Sequence, residues 1–358
     1  MSTAESSLQT ITTLESVQSA RSSLRLKWAV LSGVLLLSLA VIFCLNVTVG
    51  SVGISFDRLM QILAGGAAGT SDDFIVWHLR IPRAIGSALG GGLLAVSGLL
   101  LQIYFRNPIV GPYVLGISSG ATLMVATVML STLHLGFATP GPYLSTIAAF
   151  IGAYAMTLVI LGIASKVRSA VTLLVTGLMV GYLCHALTSI LMAFAEKEKI
   201  KGFILWEMGS FAGLRWSEVQ VLVVVGAAIL ALTFLLAKPL NAFLLGEEYA
   251  ATMGVNVRLF RVLILFSSSS LAGMTTAFAG PVAFIGLATP HIARLCFGTS
   301  DSRVLIPGAI LMGAVVTSLC DFVARLAFSP VELPLSAITA FFGAPIVVGL
   351  LLKKGASL

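Results

Sequence analysis

Ten runs of mostly apolar residues constrain this chain more than any other feature. They cover about 28–48, 82–104, 112–132, 144–165, 170–193, 217–237, 259–279, 281–297, 304–328 and 334–352. A helix needs about 20 such residues to cross a bilayer. Several runs contain Gly and Pro, which membrane helices tolerate when neighbours satisfy the freed backbone. The eighth is short and carries Pro281 and Pro290, so its ends are the hardest to place. Composition agrees: 10% of the 358 residues are charged, against about 25% in a soluble domain. The mean hydropathy is +1.05. The chain therefore reads as an all-α polytopic membrane protein with about ten transmembrane helices.

The net charge of +7 has no Lys/Arg run or aromatic-basic interleaving to suggest nucleic acid. In a membrane protein a basic excess reflects cytoplasmic loops. With the N-terminus inside, 13 of the 21 Lys and Arg fall on the cytoplasmic side, and both termini are cytoplasmic. Residues 1–26 are Ser/Thr-rich and polar. The apolar run that follows is too long for a cleaved signal core, so they predict a disordered cytoplasmic tail ahead of a single transmembrane domain over 27–354. Cys44, Cys184, Cys296 and Cys320 lie in apolar runs at wide spacing. They predict buried packing rather than a disulfide framework or metal site.

"GPYVLGISS" (111–119) is echoed by "GPVAFIGLATP" (280–290), with one residue inserted. The first copy enters from the cytoplasm and the second from outside, as inverted repeats do. Small residues cluster in "GSALGGGLLAVSG" (86–98) and "SSSSLAGMTTAFAG" (267–280). They allow close helix packing, or a face lining a wide path.

Ionisable groups inside a membrane are costly and usually functional. Asp321 and Arg325, at i,i+4, share a helix face and form the expected intramembrane ion pair. Asp321 is the one candidate for ion coupling, so an ion-driven secondary transporter of a bulky solute is the weaker alternative. A membrane-embedded enzyme would need paired catalytic groups within the spans, and no such pairing is visible. No GxxxxGK[ST] phosphate loop occurs, so ATP would have to be hydrolysed by another subunit. "LLGEEYAATMGVNVRLFR" (244–261) falls on the cytoplasmic side between spans six and seven. It predicts a short amphipathic helix, with Leu244, Leu245, Ala251 and Met253 available to pack. Glu247 and Glu248 complement the helix dipole, and Gly254 supplies a left-handed cap. Such an element could couple a soluble motor to the spans, or lie on the membrane or neighbouring loops.

The chain resembles the permease family of bacterial ATP-binding-cassette importers for iron–siderophore complexes, haem and cobalamin (the FecCD type). The likeness covers about 30–354. It rests on "RIPRAIGSALGGGLLAVSGLLLQ" (80–102), "RNPIVGPYVLGISSGA" (106–121), "LLGEEYAATMGV" (244–255), "GPVAFIGLATPHIARL" (280–295) and "VELPLSAITAFFGAPIVVGLLLK" (331–353). Two mild departures are Ile109, where the family carries NPL, and "GLATPHIAR", where it carries "GLIVPHIAR". The resemblance implies the type II ABC importer permease fold with inverted repeats, in the bacterial inner (cytoplasmic) membrane. It implies a non-catalytic chain without a cofactor or metal of its own. ATP and Mg belong to two cytoplasmic ATPase subunits. A solute-binding protein on the outside, periplasmic or lipid-anchored, and a second permease subunit complete the importer. A homodimer is preferred over a heterodimer.

The same resemblance assigns roles to residues. Coupling helices at about 239–257 carry Leu245, Gly246, Glu247, Glu248, Ala251, Met253 and Gly254. Arg80, Arg83 and Arg325 receive the binding protein, with internal pairing to Asp321 competing for Arg325. Asn107, Pro108 and Ile109 line the cytoplasmic gate, where an apolar side chain can exclude water. The fifth span lines the pathway and offers His185, Thr188 and Ser189. His291 reads as structural, whereas His78 and His134 sit near the outer mouth. Selectivity belongs mainly to the binding protein, so the favoured ferric siderophore rests on family prevalence, with haem and cobalamin behind it.

Overall fold

The computed structural model describes residues 2–50, 52–66, 69–130, 142–167, 169–329 and 331–355, and their side chains except at 2–21, 142 and 350–355. Among the described residues all regular structure is helical. The first helix, α1, spans Ser2–Thr48. It includes residues 2–26, where composition predicted an unstructured tail. No Gly or Pro falls between Ser2 and Ser32, so no strong breaker stops the first span from extending backwards.

α2 (Phe56–Leu63) and α3 (Ser71–Phe74) follow, and a π-helical segment, Ile75–Arg80, joins α3 to α4 (Ile81–Tyr104). Pro82 has no N–H, and its ring crowds the carbonyl four residues back. The widened turn, where the Ile81 N–H bonds the Val76 carbonyl, carries the helix past that obstacle. A 3-10 turn (Pro112–Leu115) precedes α5 (Ile117–Leu130). Then come α6 (Pro142–Lys166), α7 (Ala170–Phe194), the short α8 (Lys197–Glu207) and α9 (Trp216–Leu235). α10 (Ala237–Leu244) and α11 (Glu247–Thr252) lead to α12 (Val257–Ala279), α13 (Ile285–Phe297), α14 (Ser302–Leu326) and α15 (Leu335–Gly355).

Each of the ten apolar runs holds a helix, and among the described residues seven helices are long and apolar enough to cross a membrane. α5 and α13 have only 14 and 13 residues, and α15 is described as an apolar helix over Leu335–Gly349. Each of the two apolar runs holding α5 and α13 begins with echo residues that are not α-helical, 111–116 and 280–284. Both segments pass through a left-handed residue just before their helix, Gly116 at φ +71° and Phe284 at φ +64°. They also meet in space, because a Cβ on Gly286 would lie 2.7 Å from Pro112 Cδ. Irregular backbone at membrane depth survives when protein surrounds it. The echo therefore marks two irregular entries into helices, which approach each other at Pro112 and Gly286.

α4 is the central element and packs against α9, α12, α13 and α14. Its glycines permit this. Gly91 meets the backbone of Gly313 on α14, and Gly98 that of Gly286 on α13, so a side chain at either would collide. Ser97 Oγ donates to the Ser268 carbonyl at 2.7 Å, and Ser268 Oγ to the Ser97 carbonyl at 2.9 Å, joining α4 to α12. The two small-residue stretches are thus helix-packing surfaces, buried along nearly their whole length. Cys184 and Cys320 are buried as expected, but Cys44 and Cys296 are exposed. A residue in an apolar span can face lipid as readily as protein, which corrects the expectation for those two.

Candidate functional site

The polar stretch 244–261 takes in the end of α10, all of α11 and the start of α12. α11 closes as expected: Gly254 at φ +82° ends it, with the Val255 N–H bonding the Ala250 carbonyl and the Gly254 N–H the Ala251 carbonyl, both at 3.0 Å. This double bond pattern satisfies the last carbonyls of the helix. The α10–α11 unit is fixed on its inner side. Phe243 is buried and stacks on Tyr104 of α4, with 6.0 Å between ring centroids. Asn241 Nδ2 donates to Asp301 Oδ1 at 2.6 Å, and its Oδ1 accepts from the Ser302 N–H at 2.8 Å, at the start of α14. Glu247 accepts from Arg261 of α12 at 3.0 Å.

The outer side of the unit is bare. Leu245, Tyr249 and Met253, spaced four apart, are 69%, 46% and 64% exposed. Glu248 and Ala251 are exposed beside them, while Ala250 is buried. An apolar row on a polar, well-anchored element marks an interaction surface. Tyr249 was missed by sequence reasoning, although its spacing from Leu245 and Met253 was the available signal.

Asn107, Pro108 and Ile109 follow directly on the end of α4. Arg106 takes the left-handed conformation at φ +47°. Its N–H bonds the Ile103 carbonyl at 3.2 Å and the Asn107 N–H the Gln102 carbonyl at 3.1 Å. Asn107 Oδ1 then accepts from the Ile109 N–H at 3.0 Å. This side chain sets the turn that presents Ile109, which is 43% exposed.

At the other end of α4 the structure corrects the expected ion pair. Asp321 is fully buried and bonds Arg83, not Arg325: Arg83 Nε donates to Asp321 Oδ2 and Nη2 to Oδ1, both at 3.0 Å. Arg83 Nη1 reaches Glu332 at 2.9 Å. Arg325 instead donates to the Asn46 carbonyl at 3.0 Å and its Oδ1 at 3.2 Å. Arg80 donates to the Val47 and Thr48 carbonyls at 2.8 Å and to the Val52 carbonyl. The i,i+4 rule names residues that share a face, but the guanidinium fork of Arg83 matches the buried carboxylate in two bonds. The three arginines expected to offer guanidiniums outward are thus bonded inward, Arg80 and Arg83 being buried. They join α4, α14 and the end of α1.

On α7, His185 and Ser189 are exposed, whereas Thr188 is buried and bonds the Cys184 carbonyl at 3.0 Å. Thr188 therefore lies off the open face. Burial pushes the Glu207 carboxyl, at the end of α8, above its ordinary value, and the nearby His185 partly offsets this. His78 stacks on Phe74 with centroids 4.6 Å apart, and His134 lies outside the described residues. No group of three or more His, Cys, Asp or Glu side chains is placed to hold a metal ion among the described residues.

Residues 37–353 match the FecCD transport family. The vitamin B12 import system permease protein BtuC of Salmonella typhi is 36% identical over 294 residues, covering 82% of this chain and 88% of that one. The BtuC protein of Salmonella typhimurium gives the same identity and coverage. Among solved structures, an ABC transporter assigned to the metal-chelate type, in an inward-facing conformation, superposes with a TM-score of 0.79. It is 28% identical, over 91% of this chain and 99% of that one. With seven long apolar helices, this is a multi-pass protein of the inner membrane. The chain belongs to the FecCD transport family, as the permease subunit of a metal-chelate or cobalamin ABC importer.

Proposed function

We propose that this chain is the translocating half of an ATP-driven importer of a ferric siderophore, with both termini in the cytoplasm. The observation that carries the reading is the bare row Leu245, Tyr249 and Met253 on a unit bolted to α4, α12 and α14. A soluble ATPase that grips this row pushes on three membrane helices at once. Two such ATPases, with their ATP and Mg, serve two permease subunits, and the homodimer is preferred. Ile109, held by the Asn107 turn, is the apolar closure of the cytoplasmic gate, with Pro108 stiffening it. An external solute-binding protein docks on the rim around Arg80, Arg83 and Arg325. Glu332, whose side chain is 45% exposed, is the partner from which docking must draw Arg83. The vitamin B12 permeases among the relatives favour a second reading, cobalamin.

Uptake into sealed vesicles tests this directly. The chain is reconstituted with its co-purifying partners, and labelled ferric siderophore, cobalamin or haem is offered with the cognate binding protein. ATP-dependent accumulation of the siderophore is expected. Accumulation of cobalamin alone moves the assignment to the second reading. Uptake that follows an ion gradient without ATP sinks both.

A further inference from the structure

Beside the Glu247–Arg261 bridge, a cavity of about 510 Å³ opens between α6 and α12. Leu161, Val262 and Leu265 form its apolar wall, and Arg258, Arg261 and Glu247 its polar end. Arg261 is partly occupied: Nη1 donates to the Ala164 and Val167 carbonyls at 3.3 and 3.2 Å, and Nη2 to Glu247 at 3.0 Å. Its Nε is buried without an acceptor. Arg258 is exposed, and among the described residues it has no carboxylate within salt-bridge distance. Two guanidiniums against one carboxylate leave one positive charge uncompensated at the end of an apolar cleft in a membrane protein.

One chemistry satisfies both parts of this cleft. A small soluble anion would neutralise the arginines but leave the apolar wall uncovered. A zwitterionic lipid would cover the wall but bring its own cation to the arginines. We propose that the cavity holds an anionic glycerophospholipid. Its phosphodiester accepts from Arg258 and, with a small shift of the side chain, from Arg261 Nε. An acyl chain lies along Leu161, Val262 and Leu265. Basic pockets between membrane helices recognise lipid head groups in this manner. The lipid phosphate and Glu247 then share Arg261, so the head group sits against the residue that anchors α11. The inference rests on the chain spanning a bilayer and not on which solute it carries.

The test uses the full chain with its co-purifying partners, offered phosphatidylglycerol, phosphatidylcholine or inorganic phosphate. Native mass spectrometry counts retained lipid, and thermal shift reports stabilisation. Phosphatidylglycerol is expected to be retained in preference to phosphatidylcholine. Arg258→Gln should weaken retention about fivefold, the contribution of one interfacial arginine. Val262→Trp, which fills the half-exposed cleft without changing charge, should lower retention as well. Equal retention of both lipids, or of phosphatidylglycerol by wild type and both variants, overturns the proposal. So does an equal thermal shift from inorganic phosphate, which would make the cavity a soluble-anion site.

Discussion

Arg83 holds two carboxylates of unequal standing. Asp321 is fully buried, while the Glu332 side chain is 45% exposed. Removing one partner of a buried pair strands the other charge and costs about 3–5 kcal/mol, whereas an exposed pair is worth at most about 1 kcal/mol. Asp321→Ala should therefore destabilise the chain severely and Glu332→Ala barely, as read by thermal unfolding of the purified protein. The reverse ranking would show that the Asp321 contact does not hold α4 and α14 together. The same geometry explains why Asp321 is a poor ion-coupling group: both its oxygens are already bonded to a permanent cation. Glu207 supplies a pH signature of opposite sign to most carboxylates. Its folded-state value is raised by burial, so its protonated form is favoured in the fold. The stability it contributes is present at low pH and lost as pH rises through the ordinary carboxylate range to the raised value. Glu207→Gln should abolish that part of the pH dependence, and an unchanged unfolding profile across acid pH would contradict the burial argument.

At the scale of elements, the α10–α11 unit separates anchor from face. Replacing Leu245 and Met253 together by Ser touches only exposed side chains, so the melting temperature should stay within about 0.5 kcal/mol equivalent of wild type. ATP-driven uptake and ATPase association should fall at least tenfold. Reversing the charge of Glu248 should weaken association without unfolding. Glu247→Ala, by contrast, cuts the bond to Arg261 and should lower stability and uptake together. If the double serine variant retains full ATPase association, the bare row is not the coupling surface. The helix crossings make a second contrast. Gly98→Ala drives a methyl group into the Gly286 backbone, an overpacking cost of about 1–3 kcal/mol or more. At Gly162, near the C-terminal end of α6, an added methyl group would meet nothing within 4 Å. Gly162→Ala should therefore stabilise the helix by about 0.5–1 kcal/mol. Thermal unfolding of the two variants should move in opposite directions.

At the scale of the whole molecule, the bilayer made the spans legible, because apolar length is what it demands of any crossing segment. It made their faces illegible for the same reason: lipid tails are as apolar as leucine, so hydropathy does not distinguish a lipid-facing side from a protein-facing one. Hence Cys44 and Cys296 came out exposed, and His185, Thr188 and Ser189 could not be sorted by sequence. The caps of α11 were legible because Gly254 is a local signal. The partner of Asp321 was not, because it lies 238 residues away in the chain.

The exposed face of α7 is where this matters most for transport. Tyr182, Leu183, Leu187 and Ile190 are exposed there with His185 and Ser189 among them. A histidine facing hydrocarbon is costly, whereas the same side chain beside a water-filled path or a second permease subunit is not. Leu158 on α6 is 69% exposed, with no ionisable neighbour in its own span between Tyr154 and Lys166, and serves as the lipid-facing comparison. In the assembled importer, a cysteine introduced by Ser189→Cys should react with a membrane-impermeant maleimide, and one introduced by Leu158→Cys should not, both on a background without Cys44 and Cys296. ATP turnover should change the Ser189→Cys rate, because a pathway wall alternates its access to water. A Ser189→Cys site as inert as Leu158→Cys, with and without ATP, would contradict the expected place of α7 in the pathway.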